Sequence, residues 1–370
     1  FFFMKFNFFS TFLTLVLLLL SYFGQGQSPF FNAESGYQWL STDLHIHTVF
    51  SDGAVWPSIR VEEARREGLD LIAMTEHLEY QPHAKDIPHP DRNRSFKIAN
   101  GMIQKGEKLQ VINGSEITRE MPPGHINAVF VKDANALLHK DSLSGIQAAN
   151  EQEAFVFWNH PNWDAHRKDG IARLDPFHEY LIENKLLHGL EVVNETTYSD
   201  EAFQIALENN LTVLGTSDIH GLTDWAHSIS EGGHRPMTFV SVESKTPMAL
   251  KKALFEGKTV VWYDALLIGK KGNLERLIRD NISFGPIVYP EDKTIAQLEV
   301  TNHSSAGIHM KYLGEYSFHK RATVFSIPAN STILLELKTV TKKEVLELPF
   351  TILNGLIGPK KYLDLTFVLK

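Results

Sequence analysis

The sequence predicts an α/β protein in which strand–helix units close into a TIM-like barrel, followed by a small antiparallel β domain. Three observations carry that reading. Short apolar runs alternate with helix-like segments from about residue 40 to 265, several of those runs end in a histidine or carboxylate, and the chain then shifts to alternating, β-branched runs. In the first unit, Val61 and Ala64 lie at helical spacing after Pro57, and Gly68 is a natural helix stop. Leu69 to Met74 then reads as a buried strand. The rhythm recurs where Ala202, Ile205 and Ala206 share a helix face, Asn209 and Asn210 end it, and Leu211 to Leu214 form the next strand. Further strands are expected at Leu44 to Ile46, Leu109 to Ile112, Ala128 to Val131, Ala154 to Phe157, Leu190 to Val193, Phe239 to Val242 and Thr259 to Trp262. A barrel is the economical closure for that many units. After a helix-like stretch at Leu274 to Asn281, the runs Ala296 to Val300 and Thr332 to Leu337, with turns at Asn302 to Ser305 and Pro328 to Ser331, indicate a β-sandwich-like domain over residues 283–370.

Length and composition bound the function. The 370 residues are 43% hydrophobic, enough for a barrel-sized core. A formal net charge of -8 gives no cationic field to draw the chain onto a nucleic-acid duplex. Lys5, the apolar run Phe8 to Phe23 and the small residues Gly24 to Ser28 read as a secretory signal peptide, residues 1–27. The run is shorter than the roughly 20 residues that span a bilayer, so no stable membrane anchor is expected once the leader is removed. With no cysteine the leader has no lipoprotein acylation site, and a periplasmic or secreted bacterial location follows.

Of the 17 histidines, six lie in or beside short motifs that follow predicted strands. The first strand runs into Asp43-Leu44-His45-Ile46-His47-Thr48, and a period of two puts His45 and His47 on one side. Met74-Thr75-Glu76-His77, Asn113-Gly114-Ser115-Glu116, Trp158-Asn159-His160-Pro161 and Thr216-Ser217-Asp218-Ile219-His220 each follow a strand. In an α/β barrel such C-terminal strand ends converge on one face. Asp52 and His125 lie a few residues beyond His47 and Glu116 and can return to it. The candidate metal set is therefore His45, His47, Asp52, His77, Glu116, His125, His160, Asp218 and His220, and imidazole with carboxylate suits Mn, Fe or Zn.

This set resembles the polymerase and histidinol phosphatase (PHP) family over about residues 41 to 225. Val55-Trp56-Pro57, the Glu79 to His83 stretch and Asp91 to Ser95 are similar to its exported Sb-PDE-type phosphodiesterases. The resemblance implies a distorted (β/α)7 barrel over residues 28–282. It also implies one metal on His45, His47, Glu116 and Asp218, a second on Glu116, His125 and His160, and a third on Asp52, His77 and His220. Glu76, where many relatives carry Asp, is not an expected ligand.

Two or three divalent ions would acidify a bridging water into hydroxide and neutralise charge on phosphoryl oxygens, without a cysteine or serine nucleophile. The expected catalytic residues are His45, His47, Glu116, Asp218 and His220. Arg119, three residues past Glu116, could meet a phosphate oxygen, and Tyr80 and His83, near the His77 motif, could bind substrate by shaping the pocket or protonating the leaving group. Arg167, Asn194 and Arg235 are further pocket candidates, Asp43 is expected to orient a ligand histidine, and His319 lies outside the motifs. Hydrolysis of small phosphodiesters is the leading reading. A phosphomonoesterase, an amide hydrolase and a non-catalytic metal- or glycan-binding module are the rivals.

Overall fold

The computed structural model of the chain describes residues 30–291 and 293–370. The expected leader lies outside them. Among the described residues, no helix is long and apolar enough to cross a membrane.

The chain opens with β1 (Gln38–Asp43), α1 (Pro57–Glu67), β2 (Leu71–Met74), α2 (Arg94–Gly101), β3 (Gln110–Ile117) and β4 (Ile126–Val129). It continues through α3 (Ser142–Glu151), β5 (Phe155–Trp158), α4 (Pro176–Glu183), β6 (Gly189–Asn194), β7 (Thr197–Tyr198), α5 (Asp200–Glu208) and β8 (Thr212–Thr216). Then come α6 (Thr223–His227), β9 (Met237–Val242), α7 (Pro247–Phe255), β10 (Thr259–Tyr263), β11 (Leu266–Gly269) and α8 (Lys271–Asn281). Local chemistry sets these bounds. Pro57 starts α1, and Gly68 stops it with φ 77, a left-handed conformation that costs glycine little. Ser199 caps α5 by accepting from the Ala202 backbone N–H, and the helix buries Ala202, Phe203, Ile205 and Ala206.

The strands form one mixed sheet in which β8, β6, β5, β4, β3, β2, β1 and β9 follow one another. This corrects the expectation of uniform parallel βα units. β4 runs antiparallel to both β3 and β5, and β9 runs antiparallel to β1. The β3–β4 connection is too short for the dozen-residue crossover that a parallel pair needs. Among the described residues no backbone ladder closes the sheet into a barrel. β8 and β9 instead meet through one side chain: Thr238 Oγ1 donates to the Gly215 carbonyl at 2.8 Å and accepts from its N–H at 2.9 Å. Gly215 is needed at that seam, because a Cβ there would stand 2.2 Å from Val261 Cγ1.

The C-terminal part comprises β12 (Ile282–Phe284), β13 (Ile295–Asn302), β14 (Ile308–Tyr312), β15 (Ser317–Phe318), β16 (Val324–Ile327), β17 (Ser331–Lys338), β18 (Leu346–Gly358) and β19 (Lys361–Leu369). A four-stranded sheet, β12-β13-β17-β15, faces strands β16, β14, β18 and β19. The latter continue the main sheet, since β18 pairs in parallel with β11 at Leu267↔Gly355 and Ile268↔Leu356. One apolar core runs from Trp39, Phe239 and Trp262 through Leu274 and Ile278 of α8 to Leu298, Phe350 and Leu363, so the two parts are packed together.

Candidate metal centre

The nine candidate ligands converge at the end of β3, past the ends of β1, β2, β5 and β8, and on the loops beside them. His45 and His47 lie just beyond β1, in a segment held by the His47 N–H to Ile219 carbonyl bond (3.1 Å) and by an isolated bridge at Ile46↔Ile219. The expected strand at Leu44 to Ile46 thus lies past the end of β1, yet both rings still reach one place. Asp52 returns over them in a turn that only glycine can close: a Cβ on Gly53 would sit 2.7 Å from the Thr48 nitrogen and 2.8 Å from the His47 carbonyl carbon. Asp218 and His160 have φ of 47° and 29°, sparsely populated for side-chain-bearing residues, as is common where a site fixes the backbone.

Glu116 is the hub. It is fully buried, and its carboxylate oxygens lie 2.6 Å from His77 Nδ1, 3.0 Å from His125 Nδ1, 3.4 Å from His47 Nε2 and 3.5 Å from both His45 Nε2 and His160 Nε2. Asn159 Nδ2 donates to Oε1 at 2.7 Å, whereas the buried Oε2 has no hydrogen-bond partner. Asp218 Oδ1 lies 3.1 Å from His45 Nε2 and 3.0 Å from His47 Nε2, in neither case in hydrogen-bonding geometry. On the other side, Asp52 lies 3.1 Å from His220 Nε2 and 3.4 Å from His77 Nε2.

The neighbours of four of the imidazoles assign their protons. Glu191 Oε1 accepts from His45 Nδ1 at 2.9 Å. The Ser51 hydroxyl donates to Glu76 and therefore accepts from His47 Nδ1 at 3.1 Å. The Asp218 carbonyl takes His220 Nδ1 at 2.7 Å, and Thr118 Oγ1, which donates to the Glu116 carbonyl, takes His77 Nδ1 at 2.8 Å. In all four rings Nε2 is left bare. His45 Nε2 and His47 Nε2 then face each other at 3.0 Å, two lone pairs that repel unless a proton or cation lies between them. Donor atoms sharing one cation at about 2.0–2.2 Å stand roughly 3.0–3.5 Å apart, and the separations around His45, His47, Asp218 and Glu116 match. The residues present fit divalent metal.

Among the described residues, three groups have donor atoms close enough to hold an ion: His45, His47 and Glu116; His77, Glu116 and His125; and His47, Asp52, His77 and His220. The proton on His77 Nδ1 directs its bare nitrogen toward Asp52 and His220.

Without cations the cluster balances its charge with protons. Burial alone would lower the pKa of His77, but Glu116 and Asp52 raise it to about 10, and against the same burial Asp52 and Asp218 raise His220 to about 9. His47 falls to about 3, through burial and the charge of His77. Burial opposes ionisation of Glu116 and Asp218, yet the surrounding imidazoles hold both well below the usual carboxylate range. Cations entering would displace these protons.

A solved structure from Bacteroides vulgatus, a two-domain protein containing a predicted PHP-like metal-dependent phosphoesterase, is 34% identical to this chain. It is matched over 94% of this chain and 100% of its own length, with a TM-score of 0.85. The chain belongs to the PHP-like metal-dependent phosphoesterase family. PsfC from Pseudomonas syringae is a distant likeness, at 16% identity over 66% of this chain and 96% of that one with a TM-score of 0.43. A family described as an Ig-like domain matches residues 282–368, which gives this PHP-like chain an Ig-like C-terminal domain. No curated protein matches.

Other expectations for this PHP-like site are corrected. Arg119 is not aimed at the cluster; it pairs with Glu79 at 2.7 Å and donates to the His139 carbonyl at 2.6 Å. A cleft of about 140 Å³ opens over the cluster, lined by Asp52, His77, His125, His160, Trp163, Asn194, Glu195, Asp218 and His220. Tyr80, His83 and Arg119 are not among its walls, although the exposed Tyr80 ring stands edge-on to His77 at 5.8 Å. Arg167 pairs with Asp175, and Arg235 is buried against Glu67 and Asp43. Asp43 orients no imidazole: it accepts from Arg235 and from the Ser217 backbone and hydroxyl, which positions the segment carrying Asp218. Glu191 takes the orienting role instead. Glu76, as expected, stays off the cluster and holds Thr48 and Ser51. Sequence reasoning missed Glu191, Trp163 and Glu195. Of these, Glu191 left a signal, a charged residue inside an otherwise apolar strand.

Proposed function

We propose that this chain is a metal-dependent hydrolase of phosphate esters, with small phosphodiesters as its substrates. The Glu116 carboxylate carries the reading, because it lies within 3.5 Å of five imidazoles and one of its buried oxygens takes no hydrogen bond, as suits a carboxylate shared between cations. Kinship to the Bacteroides vulgatus structure supports the same reaction class. His45, His47, Glu116 and Asp218 would hold one ion, Glu116, His125 and His160 a second, and Asp52, His77 and His220 a third. Such ions, Mn, Zn or Fe, supply Lewis acidity to a water and positive charge to phosphoryl oxygens.

The chain's own residues do the positioning. Glu191, Ser51, Thr118 and the Asp218 carbonyl each hold a proton on Nδ1 and so keep Nε2 available. Asn159 holds the Glu116 carboxylate in one orientation. Trp163 packs against His125 at 5.5 Å and His160 at 5.2 Å and offers substrate an apolar wall. Among the described residues no lysine or arginine lines the cleft, which suits a diester with one negative charge better than a dianionic monoester.

We read the curved sheet with its Thr238 seam as a distorted barrel, the chain as akin to the exported Sb-PDE-type branch, and the protein as periplasmic or secreted. The test is a panel of aryl diesters, aryl monoesters, phosphonates and amides with the metal-loaded protein. Hydrolysis of diesters above the others supports the proposal. Turnover of amides alone, or of nothing, refutes it.

A further inference from the structure

We propose that Glu195 sets the charge preference of the cleft, admitting phosphoryl groups with one negative charge and disfavouring those with two. The inference deepens the hydrolase reading and rests on it. Glu195 follows Asn194 in the turn from β6 to β7, and its N–H bonds the Thr216 carbonyl at 3.2 Å, at the end of the strand that leads to Asp218. Its φ of 50° lies in the left-handed region that a side chain rarely adopts, so the turn holds a carboxylate where glycine would be the easier residue.

The side chain is exposed and lines the cleft, and it makes no hydrogen bond or ion pair among the described residues. The other carboxylates there are engaged: Asp52 and Asp218 face imidazoles, and Glu116 is buried against them. Glu195 is thus a spare negative charge at the mouth. No lysine or arginine among the lining residues offsets it; only the imidazoles of His220, His160 and His45 do so, through space, and Arg119 is paired with Glu79.

A diester carries one charge at neutral pH, whereas a phosphate monoester carries close to two above a second pKa of about 6. A fixed anion a few ångströms away penalises the second charge by the same Coulomb law that favours the cations. Glu195→Gln removes the charge and keeps the shape, while Glu195→Asp keeps the charge.

The experiment compares both variants with the wild type, manganese-loaded, at about pH 8, where an exposed carboxyl is ionised. Substrates are p-nitrophenyl phosphate, a dianion, and two monoanions, bis(p-nitrophenyl) phosphate and p-nitrophenyl phenylphosphonate. Calorimetry adds the affinities for inorganic phosphate and dimethyl phosphate. In Glu195→Gln, kcat/KM for the monoester should rise relative to both monoanions by at least about ten-fold, and phosphate should bind tighter by a similar factor while dimethyl phosphate changes less. Glu195→Asp should keep the wild-type ratios. Unchanged ratios in Glu195→Gln, or a wild type that prefers the monoester, overturn the proposal. A metal-loaded wild type that turns over none of the three refutes the hydrolase reading, and the phosphate affinities then still decide the role of Glu195.

Discussion

Replacing Glu191 by glutamine changes one atom in the shell behind the metal cluster. Four donors converge on this carboxylate: His45 Nδ1 at 2.9 Å and Thr216 Oγ1 at 2.6 Å on one oxygen, the His160 N–H at 2.8 Å and Asn194 Nδ2 at 2.9 Å on the other. An amide nitrogen must face one of these pairs. Turned toward His45, it meets a donor unless the imidazole moves its proton to Nε2, the atom that faces His47 and Asp218. Turned the other way, it leaves the His160 N–H without an acceptor. Each arrangement therefore either strands a buried donor, at a cost of about 1–3 kcal/mol, or puts a proton on the His45 nitrogen that must meet the cation. Metal affinity should fall by about 10- to 100-fold, the usual effect of losing a partner behind a ligating histidine. Urea unfolding of the metal-free protein and calorimetric titration with manganese measure the two effects. A variant with wild-type unfolding midpoint and wild-type affinity would refute the assignment of His45 Nε2 as a ligand held by Glu191.

Three other outcomes follow from the same geometry. Glu116→Ala or His45→Ala should lower metal content and cut activity by more than the roughly 100-fold typical of residues behind the ligands, whereas His319→Ala, exposed on the C-terminal domain, should do neither; atomic absorption with rate assays checks both. Gly53→Ala should cost about 1–3 kcal/mol, because its Cβ would press on the Thr48 nitrogen at 2.7 Å, and thermal unfolding with metal titration should show loss of both stability and affinity. His188 packs between Phe155 and Phe255, and burial holds its pKa down to about 4. Since its folded pKa lies below its unfolded value of about 6.5, its contribution is full above that pH and is lost as pH falls toward 4. His188→Asn should therefore lose less stability than the wild type between those limits in urea titrations.

The site was more legible than the sheet. Ligands placed after strands are read from a period of two and from barrel geometry, which is why His45, His47, Glu116 and Asp218 could be brought together on paper. Strand direction is not encoded in apolar runs, so antiparallel β4 and β9 were not foreseen, although the short segment between Ile117 and Ile126 leaves no room for a crossover. The pairing of β11 with β18 joins residues nearly ninety apart, and no local pattern marks it. Among single residues, Asp43 lies two positions from His45 in sequence, yet the carboxylate that holds the ring is Glu191 of β6. Arg119 failed for a related reason: closeness to Glu116 along the chain does not reveal that Glu79 takes the guanidinium first.

The central claim is that bare imidazole nitrogens gathered around Glu116 and Asp218 hold cations. Crystals grown with manganese and measured at its absorption edge test it most directly. The account predicts anomalous peaks at about 2.0–2.3 Å from His45 Nε2, His47 Nε2, Glu116 and Asp218, with at least one further peak on another side of Glu116. A fully loaded crystal with no peak between those side chains, or with manganese bound only elsewhere, would contradict it.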